Sequence, residues 1–278
     1  MLTSNNSKGV AFFYDSKRKY APTKVGERKP GVVIKRMIMK VYLDNNVLVD
    51  IEQGKFKEEV FLSRSNTKYY YSDAHLGELL EARGNTKVSQ EGRLNLISRI
   101  CGQNCILSGV LEDPEFIQKD VREMYHLADN PLRAAISSMA ANGASIFEKM
   151  RVELGFESKQ FNNESSEKVL RVIDARMKEK LGIGLLPYLH STEAYGGIAL
   201  YYTLLNMIDM ANYWGDTRTD HSEIARLFDA SHAYFASICD ALVTSDKRMM
   251  AKVRAIYSLL GVKTKVISVK DYLICGRA

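Results

Sequence analysis

The sequence predicts an α/β fold: a central, mostly parallel sheet covered by helices on both faces, with a long all-helical insertion at about residues 85–218. Three observations predict it. Short β-branched and aromatic runs stand at 40–44 (KVYLD), 68–71 (KYYY), 241–244 (ALVT) and 264–268 (TKVIS). Stretches whose apolar residues recur every three or four positions separate the front pair from the back pair. Pro114, Pro131, Gly84 and Gly261 fall where such helices begin or end.

Taken in order, residues 1–36 lack sustained periodicity and contain Pro22, Pro30 and several Gly and Ser, so they read as a basic flexible arm. Such an arm attracts polyanions; equally, translation can start at Met37 or Met39, leaving the arm without a role. A domain at 37–278 follows. It opens with the strand ending at Asp44, which Asn45 and Asn46 break. A helix is expected from Val47 to about Arg64, then the tyrosine strand, then a helix at 74–83 capped by Ser72 or Asp73. A helix at about 88–100 leads to a short third strand at 105–107. From about 114 to 213 the pattern is helical, with segments at 117–128, 132–150, 166–181 and 192–213. A helix at about 219–239, the strand 241–244, a helix at 247–260 and the strand 264–268 complete the chain.

Charge narrows the function classes. The net charge is +6 over 278 residues. Residues 1–40 hold ten Lys/Arg and two acids, which leaves 29 basic and 31 acidic residues for 41–278. The basicity belongs to the arm and the folded body is slightly acidic, so charge alone does not mark a polyanion-binding surface. No apolar run is long enough to cross a bilayer and no apolar leader stands at the N-terminus, so the expectation is no membrane contact and a cytoplasmic protein. Cys101, Cys105, Cys239 and Cys275 are too few for a disulfide scaffold and are expected as reduced thiols.

Four acids stand out by position. Asp44 ends the first strand and Asp246 follows the strand 241–244, so both sit at strand carboxyl ends, where ligand sites of parallel α/β sheets form. Glu78 lies in the first turns of the helix after the second strand, and Asp229 lies on the helix before the strand 241–244. Clustered carboxylates repel and raise one another's pKa. Hard cations with a preference for oxygen, Mg²⁺ or Mn²⁺, make such a cluster tolerable and can activate water for phosphodiester cleavage. Taken singly, each acid is also readable as a helix cap or a solvated charge.

With these positions in hand, the chain resembles the PIN-like domain family. Residues 41–50 (VYLDNNVLVD) resemble its opening strand and loop, a hydrophobic strand followed by Asp and a small polar residue, here Asn45. Residues 71–79 (YSDAHLGEL) resemble its second region. Residues 229–246 (DASHAYFASICDALVTSD) resemble its third, an Asp opening a helix and a strand ending in Val-Thr-x-Asp. The three regions occur in the family's order and cover about 120 residues. The resemblance implies a PIN-like parallel sheet and a Mg²⁺- or Mn²⁺-dependent endoribonuclease with Asp44, Glu78, Asp229 and Asp246 as metal ligands or water activators. It suggests Thr244 or Ser245 as a helper and Asp240 as an extra acid at a helix end. His232 and Lys247 stand beside the acids and are candidate helpers as well, His232 to orient a carboxylate and Lys247, with Arg248, to hold a phosphate. RNA is the expected partner, with single-stranded DNA next and an antitoxin or another protein, or a second copy of the chain, as further partners. The settings implied are a toxin or defence nuclease, or RNA processing. The chain departs from compact family members through its long insertion and its lack of a basic surface. A non-catalytic PIN-like module that binds nucleic acid or protein is the alternative.

Other motifs point elsewhere. Glu123-x-x-His126 and Asp229-x-x-His232 match the spacing of di-iron helix motifs, but such bundles have no need of the strands. Cys101 and Cys105 have no second pair to complete a zinc set. Gly182, Gly184, Gly196 and Gly197 lack a phosphate-loop pattern. Tyr69, Tyr70 and Tyr71 suit base stacking or, by strand alternation, core packing.

Overall fold

The computed structural model describes residues 38–82, 89–108, 113–128, 149–156, 161, 164–191, 197–214 and 220–275. The N-terminal arm, most of the helix expected at 132–150, and Gly84, Pro131 and Gly196 lie outside these residues. One compact unit begins at Met37.

Its centre is a six-stranded sheet in the order β4-β3-β2-β1-β5-β6. The strands are β1 (Met39–Leu43), β2 (Thr67–Ser72), β3 (Asn104–Leu107), β4 (Glu115–Gln118), β5 (Ala241–Thr244) and β6 (Lys265–Ser268). All neighbours run parallel except β3 and β4, which pair antiparallel at one edge. The sheet is therefore mixed and mostly parallel. Strand alternation sorts its side chains onto two cores. Val41, Leu43, Tyr69 and Tyr71 enter one, and Tyr42, Tyr70 and Leu242 enter the other. All three tyrosines of β2 are buried, so burial removes them as base-stacking groups.

The helices are α1 (Asn45–Glu52), α2 (Glu59–Leu62), α3 (Asp73–Glu81), α4 (Gln90–Cys101), α5 (Val121–Ala128), α6 (Ser166–Leu181), α7 (Leu185–Ser191), α8 (Gly197–Met210), α9 (Asp220–Ala236), α10 (Lys247–Leu260) and α11 (Val269–Cys275). Leu48, Leu94 and Tyr125, from α1, α4 and α5, pack on the Val41 side; Ile173, Leu204, Phe235 and Ile256, from α6, α8, α9 and α10, pack on the Tyr42 side. No helix among the described residues is long and apolar enough to cross a membrane.

Three expectations need correction. The single helix expected from Val47 to Arg64 is two, because Gly54 adopts φ +73°, a left-handed conformation that ends α1. The insertion at 85–218 is not all helical: beside the third strand expected at 105–107, which forms as β3, it contributes the edge strand β4. Pro114 precedes that strand rather than a helix. Phe116 and Ile117 are half-buried between exposed Glu115 and Gln118, and four residues are too few for their period to separate strand from helix. The chain also does not end on β6. Ser268 accepts from the Asp271 backbone N–H at 3.1 Å and starts α11.

The strand order places the site. From β1 the chain proceeds outward to β2 and β3, whereas β5 and β6 build on the other side of β1. Connections leave β1 in opposite directions, and the carboxyl ends of β1 and β5 flank the crevice that such a switch point opens.

Candidate functional site

Asp44 and Asp246 meet at that crevice through Thr244. The Asp44 backbone N–H donates to the Val243 carbonyl at 2.9 Å, which places Asp44 beside the end of β5. The Thr244 hydroxyl donates to Asp44 Oδ2 at 2.7 Å and accepts from the Asp246 backbone N–H at 3.0 Å. Asn46 Nδ2 donates to the same Asp44 oxygen at 3.1 Å. Asp44 is 1% exposed. Burial pushes its carboxyl above the usual carboxylate range and Glu78 adds to this, while His232, Thr244 and Asn46 oppose. Asp246 caps α10, its Oδ1 accepting from the backbone N–H groups of Arg248 at 2.7 Å and Met249 at 3.1 Å.

Glu78 and Asp229 enter from α3 and α9. Asn45 donates its side-chain amide to Glu78 Oε2, and His232 Nε2 donates to Glu78 Oε1 at 2.8 Å. Arg93, buried on α4, fixes Asn45 by donating to its Oδ1 at 2.7 Å while clamping Glu52 with two bonds at 2.7 and 2.5 Å. Asp229 is half-buried and, among the described residues, receives no hydrogen bond. Burial pushes its carboxyl well above the ordinary range, and Asp44, Glu78 and Asp246 push it further, with Lys252 opposing. All three other acids thus act on Asp229 through space. Even so, among the described residues no three His, Cys, Asp or Glu side chains stand close enough together to hold a metal ion. The four acids feel one another through space without sharing a coordination point among the described residues.

Behind them lies a buried polar chain that the sequence does not announce. The Tyr42 hydroxyl meets Ser72 Oγ at 2.6 Å, His232 Nδ1 at 2.8 Å and His75 Nδ1 at 3.3 Å. His75 Nε2 donates to the Leu43 carbonyl at 2.8 Å, and its Nδ1 accepts from the Ser72 backbone N–H at 3.1 Å, so His75 is neutral. Burial drives the His75 pKa well down, and His232 and Arg93 add to that. His232 goes the other way. Burial opposes its charge, but the hydrogen bond and charge of Glu78, with Asp44 and Asp229, outweigh it and hold its pKa above the ordinary 6.5. Asp73, at the start of α3, is pushed up to about 6 by burial, with the Ala74 backbone N–H and His232 opposing. The only sequence signal for this chain is polar residues at positions where period and neighbours demand apolar ones: Ser72 at the end of a buried strand, and His75 and Arg93 inside helices.

The remaining expected helpers divide. Thr244 stands at the centre of the site. Ser245 and Lys247 border a cleft beside it, both exposed. Asp240 does not reach it. Its Oδ2 accepts from the Lys40 backbone N–H at 2.7 Å, which ties it to the amino end of the sheet, a full strand length from Asp44. The residue that looks like an extra acid of the cluster is a tie across the far end of β1. Glu123 and His126 lie together on α5; the Glu123 carboxylate pairs with Lys119, and no di-iron set forms among the described residues. Cys101 and Cys105 are buried free thiols.

No protein-family model, no curated protein and no solved structure matches the chain.

Proposed function

We propose that the chain is a Mg²⁺- or Mn²⁺-dependent nuclease of the PIN-like type that hydrolyses RNA phosphodiester bonds. The supporting observation is the joining of Asp44 and Asp246 through Thr244 at the switch point between β1 and β5, with Asp229 near enough to feel the charge of Asp44, Glu78 and Asp246. The donor set suits a hard dication: carboxylate oxygens, one of them on a group with no hydrogen-bond donor among the described residues. Asp44, Glu78, Asp229 and Asp246 would hold it only once their side chains close on it, because no three of them share a coordination point among the described residues. When bound, such an ion supplies a water of lowered pKa and charge stabilisation at the leaving oxygen.

The chain's own residues do the positioning. Thr244 and Asn46 fix the Asp44 carboxylate in rotation, and the Arg93–Asn45 pair sets Glu78 from one side. His232 holds Glu78 from the other and, when protonated, offsets one of the four negative charges. The buried Tyr42–Ser72–His75 chain anchors His232, so Glu78 is presented by a rigid support. The exposed Lys247 stands where a substrate phosphate can be drawn toward Asp246.

One observation favours a second reading, a non-catalytic PIN-like binding module. Glu78 is already paired with His232 and no three ligands stand within reach of one ion among the described residues. One experiment separates the two. Purified full-length protein is incubated with mixed RNA and single-stranded DNA in Mg²⁺, in Mn²⁺ and in EDTA. The nuclease reading expects RNA cleavage with metal and none in EDTA. Intact RNA in both metals, or cleavage that persists in EDTA, would sink it.

A further inference from the structure

Thr244 and Asp246 also border a cleft of about 750 Å³ at the same sheet edge. Its walls come from α10, the β6–α11 junction, the segment after α1 and the residues after α8. Four cations and three aromatic rings line it, Lys55, Lys247, Arg254 and Lys270 with Phe56, Tyr213 and Trp214, and Asp50, Asp246 and Asp271 stand among them. Not all of that charge is committed to the fold. Arg254 donates to the Val266 carbonyl at 2.8 Å, and Lys55 pairs with Asp50 at 2.6 Å. Lys247 and Lys270 are exposed and form no ion pair among the described residues. Trp214 and Phe56 are half-buried, each keeping part of its ring at the wall. Trp214 sits at φ +54°, a backbone conformation that non-glycine residues seldom adopt.

We propose that this cleft is the strand-holding subsite of the nuclease, taking a nucleotide next to the scissile phosphate of a single-stranded nucleic acid. The inference rests on the nuclease reading and adds to it the place and chemistry of substrate binding. A base stacks against Trp214 and Phe56, and the flanking phosphates take Lys247 and Lys270. The size lies within the range of about 300–1,000 Å³ usual for small-ligand sites, so the cleft suits a nucleotide whose base is free. A base paired inside a duplex cannot reach an aromatic wall. Location carries the argument further. The folded body is slightly acidic, so a strand is not held by a general positive field. It needs a local set of cations, and this one adjoins Asp246.

The test uses full-length protein in EDTA, so that binding is read without cleavage. Trp214 is the chain's one tryptophan, so its emission reports this cleft alone. Short labelled single-stranded RNA, DNA of the same sequence and the corresponding RNA duplex are titrated, with anisotropy as the second readout. Either single strand is expected to quench Trp214 saturably and the duplex is not; the stronger quencher names the preferred sugar. The double substitution Lys247→Glu with Lys270→Glu, at two exposed positions, is expected to weaken single-strand binding about tenfold. The slope of log affinity against log salt should become shallower by roughly 1.4, for two single-strand phosphates. Binding with unchanged Trp214 emission, or a double variant that binds like wild type, overturns the proposal. Cleavage in Mn²⁺ is followed in parallel. Quenching without cleavage overturns the nuclease and leaves the cleft, and cleavage with unchanged Trp214 emission does the reverse.

Discussion

Two groups of charges lie close together in this protein and are built on opposite plans. In the first, Asp209 from α8, Glu223 and Arg226 from α9 and Lys252 from α10 form a buried network. Arg226 pairs with Asp209 at 2.6 Å and Glu223 at 2.7 Å, and Lys252 pairs with Asp209 at 2.6 Å. Their side chains are at most 5% exposed. Two acids meet two bases, and Tyr202 adds a hydrogen bond to Glu223 at 3.0 Å. In the second, Asp44, Glu78, Asp229 and Asp246 feel one another through space, and among the described residues His232 is the one cation in direct contact with them. The four printed members of the first group balance in charge. The second has more acids than bases, so burial and mutual repulsion raise the carboxyl pKa values of Asp44 and Asp229, and it sits at the carboxyl ends of β1 and β5. Protein interiors tolerate charge when it is paired. The difference therefore teaches that the first group serves the fold, while the second is the group that the proposed metal would complete.

Substitutions can break this comparison. The largest effect is expected from Arg226→Met, which leaves Asp209 and Glu223 facing each other without their shared cation. Breaking a buried pair costs about 3–5 kcal/mol, and urea unfolding should show a loss of that order. Asp44→Asn should do the opposite to stability while abolishing cleavage. The amide keeps an acceptor for Thr244 and removes like charge, so the urea midpoint should hold or rise, while activity falls at least about a hundredfold. If this variant cuts RNA as wild type does, the site has been assigned wrongly.

Adding metal sharpens the contrast. Mg²⁺ or Mn²⁺ at a hundredfold excess over its Kd should stabilise wild type by about 2–3 kcal/mol, read by thermal unfolding, and should not stabilise an Asp44→Asn/Asp229→Asn variant. An equal response in both would place the ion elsewhere.

The smallest effect expected is on pH dependence. His232 has a folded pKa above its ordinary 6.5, so the stability it contributes is fully present below 6.5 and is lost as pH rises through the folded value. His75 has a depressed pKa and costs stability only below 6.5, where the unfolded chain takes up its proton. In EDTA, stability should therefore decline from pH 6.5 toward 8.5, and His232→Gln should flatten that decline. An unchanged slope in the variant would assign the proton to another group.

Much of this was legible in the sequence. Five of the six strands, the capping Ser72 and the positions of Asp44, Glu78 and Asp246 follow from period, caps and strand ends, which are local signals. The convergence of Asp44 with Thr244 follows from the order of strands, which period alone does not give. Asp240 misleads because an acid one strand length before Asp246 has the same local setting as a ligand; only the direction of β5 shows it at the other end of the sheet. β4 escapes because four half-exposed residues carry too little periodicity. His75 is legible as a hydrogen-bonded helix residue, but Arg93 and Tyr42 escape for a different reason. Their polar atoms find partners 30 to 190 residues away, and a sequence scan sees only an ill-placed polar residue.

The bond from Thr244 to Asp44 spans 200 residues. During synthesis, the first strand has long left the ribosome before β5 exists to sit beside it. Until then Asp44 has no Thr244, Asp229 has not met the acids it opposes, and β1 lacks one of its two neighbours. The growing polypeptide therefore carries its acids separately and cannot assemble the crevice. The proposed nuclease would therefore be silent until the last part of the sheet has docked.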